Sequence, residues 1–525
     1  MSLSELTSAG GNSISQPIST TPFPPRYWWL KRLSIAGGAW LVFLVALRLW
    51  WGWEADRRFE AEVARIQAAR EPIFPEDFDS RPIPDERNAV TLLLQALNAM
   101  NVSAQDDRHL DDWSYGWGKV QNERGDIEPI LAANATALDL LHQAAQRTDV
   151  DWDVRIRSPA INFVLPNLSA SRQLGKLCIS AANYEHVNRH DERAIQRMHD
   201  AFHHARIVDQ QSTFLTHLTA LSLQALVCSS VERTGPTLRL DSANPGDPQA
   251  ATRTAVQNLI ADLLDEDAYS MAFVRSMYTE RMWQFDTLQS LKQGTSSLRA
   301  LTGGPTPSLW AAGAILNIPI RPLLTYDGLN CLQNTSDYAD AAKQGSWPAA
   351  RKRFPGMSSD DSPWNQVMHP FSRIIMPSFE RSFVLHYRLL ADRRMAALVL
   401  ALRLCESDHG ARPRSLVDLV PTYISELPAD PFDAAGSPIC YQPDIAKPIL
   451  YSIGLDGIDN GGAFAFHSTG GIKVDQLDQP FFLDGKRPTS ATDLNHPPET
   501  SPSGEEDHDD QTDAERQTNQ DDQRK

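Results

Sequence analysis

Three consecutive segments decide the fold: SASRQLGKLCISAANYEHVN (169–188), ERAIQRMHDAFHHARIVD (192–209) and FLTHLTALSLQALVCSSVE (214–232). Each spaces its apolar residues as a helix does. In the middle segment Ile195, Met198, Phe202 and Ile207 fall near one stripe, opposite Arg197, Asp200 and Arg206. The links between the segments, such as Arg189-His190-Asp191, leave room for little more than a reversal of direction, so antiparallel helical hairpins are expected.

Outward from this core the same periodicity predicts helices over 89–100, 127–145, 248–266, 271–292 and 323–343. A long helix over 378–409 follows Pro377 and stops at Gly410, a residue suited to a left-handed cap, with Pro413 just beyond. The stretches 302–307 and 346–363 collect Gly, Pro and Ser and read as loops. No internal sequence repeat marks a solenoid.

Near the N-terminus, residues 30–49 are strongly apolar; 20 residues make about 30 Å of helix, the thickness of a bilayer core. Tyr27, Trp28 and Trp29 flank one end, and Trp50, Trp51 and Trp53 the other, while Lys31, Arg32 and Arg48 lie close enough to the ends to reach headgroups. No small-x-small cleavage site follows, and the bulky 49–53 block stands where one is expected, so the segment reads as a retained transmembrane helix. The charge rule does not orient it: Arg26, Lys31 and Arg32 on one side balance Arg57, Arg58 and Arg65 on the other.

The expected class is mainly α. The expected order is a disordered stub (1–29), a membrane span (30–53), a helical-hairpin body (54–377), an α/β head with a short antiparallel sheet (378–475) and a disordered acidic tail (485–525). The net charge of −17 argues against a nucleic-acid partner, because phosphate recognition needs clustered Lys and Arg. Residues 491–525 hold 11 acidic and 3 basic side chains and almost nothing apolar, too little to offset the entropy of ordering. The five cysteines are scattered without C-x-x-C spacing and signal neither a zinc knuckle nor a disulfide framework.

Two regions carry site-like chemistry. His199-Asp200-Ala201-Phe202-His203 has the i, i+4 histidine spacing of the two-histidine zinc-protease helix, which places both imidazoles on one face, with Asp200 where that motif has a water-activating Glu. Spacing assigns no third ligand, although His186, His190 or His217 could approach in the fold. The alternative is ordinary polar histidines on helix faces. There is no G-x-S-x-G, Walker loop or G-x-G-x-x-G in a strand-to-helix setting.

The second region runs LPADPFDAAGSPICYQP (427–443) and PILYSIGLDGIDNGG (448–462). Gly410, Pro413 and Leu416 precede it; Pro428, Asp430, Pro431, Phe432, Pro438, Tyr441, Tyr451, Gly454, Asp456, Gly457, Gly461 and Gly462 lie within it. In that order they resemble the soluble head of the major pseudopilins of type II secretion. The likeness covers roughly 378–474 and departs from the family elsewhere. The membrane segment lacks the Gly-Phe-Thr-Leu-x-Glu processing start, and more than 300 residues separate span from head. The chain is therefore similar instead to large bacterial membrane-anchored proteins that carry such a head at the C-terminus. The resemblance implies an extracytoplasmic head and a calcium loop. Asp456, Asp459 and Asn460 supply hard side-chain oxygens, and the glycines let the backbone curl round an ion; a tight Asp-Gly turn is the competing reading. Asp430 reads as a turn residue.

The expected function is a non-enzymatic scaffold or interaction protein of the bacterial inner membrane. It would be single-pass, with the bulk of the chain extracytoplasmic, protein partners in the envelope and a structural calcium ion. An envelope metal-dependent hydrolase using His199 and His203, and an accessory component of a secretion system, are the alternatives.

Overall fold

The computed structural model describes residues 27–79, 82–115, 124–163, 167–241, 246–293, 314–355, 369, 372, 379–443, 447–466, 472–473 and 477–488. The expectations for 1–26, 302–307 and the acidic tail from 489 onward fall outside these residues.

Helix α1, Trp28–Ala68, runs without a break for 41 residues, roughly 60 Å at the usual helical rise. Its first half is exposed on every side, including Leu33, Ile35, Leu41, Val42 and Leu49. Its second half changes character: Ala55, Phe59 and Ile66 are buried, and Phe59 and Ile66 pack in a cluster with Ile73, Phe285, Leu288, Leu324 and Cys331. Burying Phe59 and Ile66 stabilises this docking by about 1.5–3 kcal/mol each. One helix thus serves as apolar rod and as core element.

The body follows the expected helical order: α2 (Ala89–Ala99), α3 (Ala104–Tyr115), α4 (Arg124–Ala133), α5 (Ala135–Ala145), α6 (Leu168–Val187), α7 (Asp191–Asp209) and α8 (Phe214–Thr234). Next come α9 (Arg253–Leu264), α10 (Asp267–Gln293), α11 (Ala314–Ala342), α12 (Trp347–Arg351) and α13 (Phe379–His409). Helix α8 is as long and apolar as a membrane span, yet nearly three quarters of its apolar window is buried inside the fold, so it is a core helix. Thr213 starts it by accepting the backbone N–H of Thr216.

Three local expectations change. The helix over 127–145 is split at Asn134, whose buried amide exchanges hydrogen bonds of 2.7 and 2.9 Å with the Asn101 backbone and so leaves the helical path. Helix α3 has little apolar periodicity, but Ser103 and Asp106 cap each other's backbone N–H groups, a signal present in the sequence. Within 346–363, read as loop, α12 forms because Trp347 and Ala350 are buried, and the Trp347 N–H donates to the Pro431 carbonyl at 2.8 Å.

The small sheet has the order β1 (Cys440–Gln442), β2 (Ile449–Ser452), β5 (Gln479–Phe482), all antiparallel, with Cys440 opposite Tyr451 and Leu450 opposite Phe481. A two-stranded ladder, β3 (Ala465–Phe466) with β4 (Ile472–Lys473), lies between them in sequence. Strand β5 extends the sheet past 475, the expected end of the head. Among the described residues, the head's separate core is a small cluster at Ile449, Tyr451 and Phe482. Its helix α13 is buried along its length, and Leu450 and Phe481 share one continuous core with Leu177, Phe202, Leu226 and Val399. Polar contacts fasten the same seam: the Phe482 N–H donates to buried Glu232 at 2.8 Å and Arg394 to Glu266 at 2.6 Å, while within the head Gln479 donates to Asp392 at 2.6 Å and Arg394 to the Ala429 carbonyl at 2.7 Å.

Candidate functional site

Helices α7 and α9 cross where His199 and His203 meet Asp262. The i, i+4 spacing stacks the imidazoles with centroids 4.3 Å apart, and both Nε2 atoms lie 3.2 Å from the same oxygen, Asp262 Oδ2. The other oxygen, Oδ1, is held by Arg206 at 3.2 Å, and Arg206 is shared with Asp265. Among the described residues this is the group of three His, Cys, Asp or Glu side chains whose ligand atoms all lie within 4.8 Å of one another. Burial, and then the neighbouring His203 ring, pushes His199 down to about 4, so its ring is neutral at ordinary pH. Burial pushes Asp262 up, but His203, His199 and Arg206 outweigh it and hold the carboxyl below its usual range.

Asp262 stands at the end of α9, and a buried arginine fixes that end. Arg393, from α13, donates to the carbonyls of Leu263 at 3.0 Å, Asp262 at 3.2 Å and Asp265 at 2.7 Å, a side-chain cap for a helix C-terminus. Its guanidinium also stacks over Phe202 and Tyr269. Sequence spacing did not reveal Asp262, because nothing local links a residue on α9 to a pair on α7.

The part expected of Asp200 is corrected. Its carboxylate is fully buried on another side of α7, accepting from His142 Nδ1 at 2.9 Å and approached by Arg197 at 3.4 Å. It cannot prepare a water at the histidine pair. The three histidines considered as further ligands are engaged elsewhere: His186 with Asp191 at 2.5 Å, His190 with Glu185 at 2.8 Å, and buried His217 with Asp209 at 2.9 Å. A cavity of about 260 Å³ opens beside His203, with Arg147, Arg206 and Arg393 in its wall.

In the head, Asp430 is the turn residue expected of it. Fully buried, it accepts from the Phe432 N–H at 2.9 Å, the Ser452 hydroxyl at 2.7 Å and the Ile453 N–H at 2.8 Å, joining the Leu-Pro-Ala-Asp-Pro turn to the end of β2. Asp456 accepts from the N–H of Ile458 at 3.1 Å; Asp459 accepts from that of Gly461 at 2.8 Å and from the Tyr451 hydroxyl at 3.1 Å. The Asn460 amide donates to the Ile458 carbonyl at 2.9 Å. The loop curls round a residue outside the quoted motif, buried Asp478, which accepts from the N–H groups of Asn460 and Gly462. Gly454, at φ +71°, lies so close to the Leu477 carbonyl that a Cβ would stand 2.5 Å from it, which accounts for glycine there.

No family model, curated protein or solved structure matches the chain.

Proposed function

We propose that the protein is a single-pass membrane protein whose helical body and fused head form a rigid interaction platform on the extracytoplasmic face of a bacterial inner membrane. The observation that carries this reading is the continuity of α1: its apolar, unpacked half passes without a linker into a half locked in the core. A tether would let the body drift; an unbroken helix fixes its height and tilt above the bilayer. Cation–aromatic pairs mark both ends of the span, Arg32 over Trp28 at 4.5 Å and Arg57 over Trp53 at 5.8 Å, the residue types that membrane interfaces favour.

The body meets the membrane in a fixed pose through α10 and α11. Lys292 pairs with Asp56 at 2.7 Å and Arg281 with Glu71 at 2.8 Å, so α10 runs against α1. Gly52 lies beside Pro322 and Asp56 beside Thr325, so α11 runs with it. The displacement of Asp200 removes the acid that a two-histidine hydrolase needs, which favours a platform over an enzyme.

Tags at the two ends, read by protease protection in oriented vesicles, test the topology. An extracytoplasmic C-terminus with a cytoplasmic N-terminus is expected; a cytoplasmic C-terminus overturns it. Spin labels on α1 and α11 in nanodiscs test the rigidity: one narrow distance distribution is expected, and a broad one overturns it.

Calcium at Asp456, Asp459 and Asn460 is a separate proposal. The loop's oxygen-rich composition supports it, and the N–H groups of Ile458 and Gly461 occupy only Oδ1 of Asp456 and Asp459. Association with secretion components rests on the pseudopilin resemblance, and pull-down of pseudopilins by the full chain tests it.

A further inference from the structure

We propose that His199, His203 and Asp262 bind one divalent transition-metal ion, zinc foremost, as a pin between α7 and α9. The distances fit such an ion. Ligand atoms 2.0–2.2 Å from tetrahedral zinc stand roughly 3.3–3.5 Å from one another. The two histidine-to-carboxylate separations are 3.2 Å, close to that spacing, and all three ligand atoms lie within 4.8 Å of one another. A nitrogen-rich set of two imidazoles and one carboxylate selects zinc and its neighbours over calcium or magnesium, which demand oxygen.

Two features prepare the site. Arg206 occupies Asp262 Oδ1 and so presents Oδ2 alone to the histidines; the positive charge this places nearby is partly offset by Asp265, which shares the same guanidinium. Arg393 holds the carbonyls at the end of α9, which keeps Asp262 from swinging away. The side chains of His199, His203 and Asp262 remain 26%, 25% and 17% exposed, enough for an ion to enter from solvent.

The role that follows is structural. The third ligand comes from a different helix, 59 residues from His203. Closing that link ties the α6–α8 layer to α9 and, through Arg393, to α13. This inference goes beyond the platform reading and does not depend on which way the chain crosses the membrane.

The test uses the full chain in detergent micelles after chelator treatment, titrated with Zn²⁺ by calorimetry and with Co²⁺ by visible absorption. One equivalent is expected, with the cobalt spectrum of a tetrahedral nitrogen–oxygen site. His203→Gln and Asp262→Asn should each weaken zinc by more than the roughly 10–100-fold typical of losing a supporting contact, since each removes a ligand. His190→Gln should bind as the wild type does. Circular dichroism without metal checks each variant's fold, and His199→Gln serves should one of the others unfold. Absence of stoichiometric uptake by the wild type, or uptake that survives both ligand substitutions, overturns the proposal.

Discussion

At the crossing of α7 and α9, side chains 59 residues apart turn toward one point, whereas in the 454–462 loop the carboxylates turn back onto their own chain. The crossing is set by rigid helices, so its ligands stay aimed even though two imidazoles face a single oxygen. The loop is set by Asx turns and by N–H groups gathered on Asp478, so its polar atoms are satisfied within it. A motif that looks like a site can thus be spent on holding its own loop, while a cluster with no contiguous motif keeps its ligand atoms converging.

The largest effect expected from breaking the first arrangement comes from Arg393→Ala. It strips three carbonyl partners from a fully buried cap and opens a void, and should cost more than about 3 kcal/mol in unfolding free energy. Chemical denaturation measures this, and zinc affinity should fall with it. In the second arrangement Asp478→Ala leaves the N–H groups of Asn460 and Gly462 without their acceptor, at a cost of about 1–3 kcal/mol. Hydrogen exchange should quicken over 456–462 and stay unchanged over α7 and α9. Equal quickening in both regions would remove the distinction between them.

His204 gives a smaller effect of opposite sign. It lies on α7 beside the pair, fully buried, with neither ring nitrogen hydrogen-bonded, and burial pushes it down to about 4. As pH falls from about 6.5 through about 4, the unfolded chain takes up a proton that the folded chain refuses, so this residue's contribution to stability is kept above 6.5 and lost on acidification. His204→Leu should raise stability by about 1 kcal/mol at pH 7.5 and flatten the acid slope in thermal melts taken across that range. The smallest effect concerns calcium. At a concentration equal to its dissociation constant, an ion bound at Asp456, Asp459 and Asn460 adds about 0.4 kcal/mol. Millimolar calcium should therefore slow exchange over 456–462 in the wild type and leave an Asp456→Asn, Asp459→Asn variant unchanged.

Much of the architecture could be read from residue order because it is local. The i, i+3 and i+4 stripes of α6 and α7, the helical spacing of α8 and the Gly410 stop all act within a few residues. So do the features of the apolar N-terminal stretch, whose length and flanking rings are legible without knowing what packs on them. The histidine pair was legible for the same reason, since helical spacing alone puts His199 over His203. Asp430 was legible as a turn residue between two prolines in the chain, Pro428 and Pro431.

Other features depend on partners distant in sequence. That Asp262 completes the pair, that Asp200 turns instead to His142, and that Asp478 holds the glycine loop were decided by tertiary packing. So was the merging of head and body through α13, where a helix that reads as the start of a module is buried along its length. The physical reason is the same in each case. Periodicity and capping fix a residue's face on its own element, but which side chain meets it there depends on how the apolar faces pack together. The sequence by itself determined an apolar N-terminal rod, a helical body and a turn-rich C-terminal segment; only the tertiary structure decided which of their polar side chains meet.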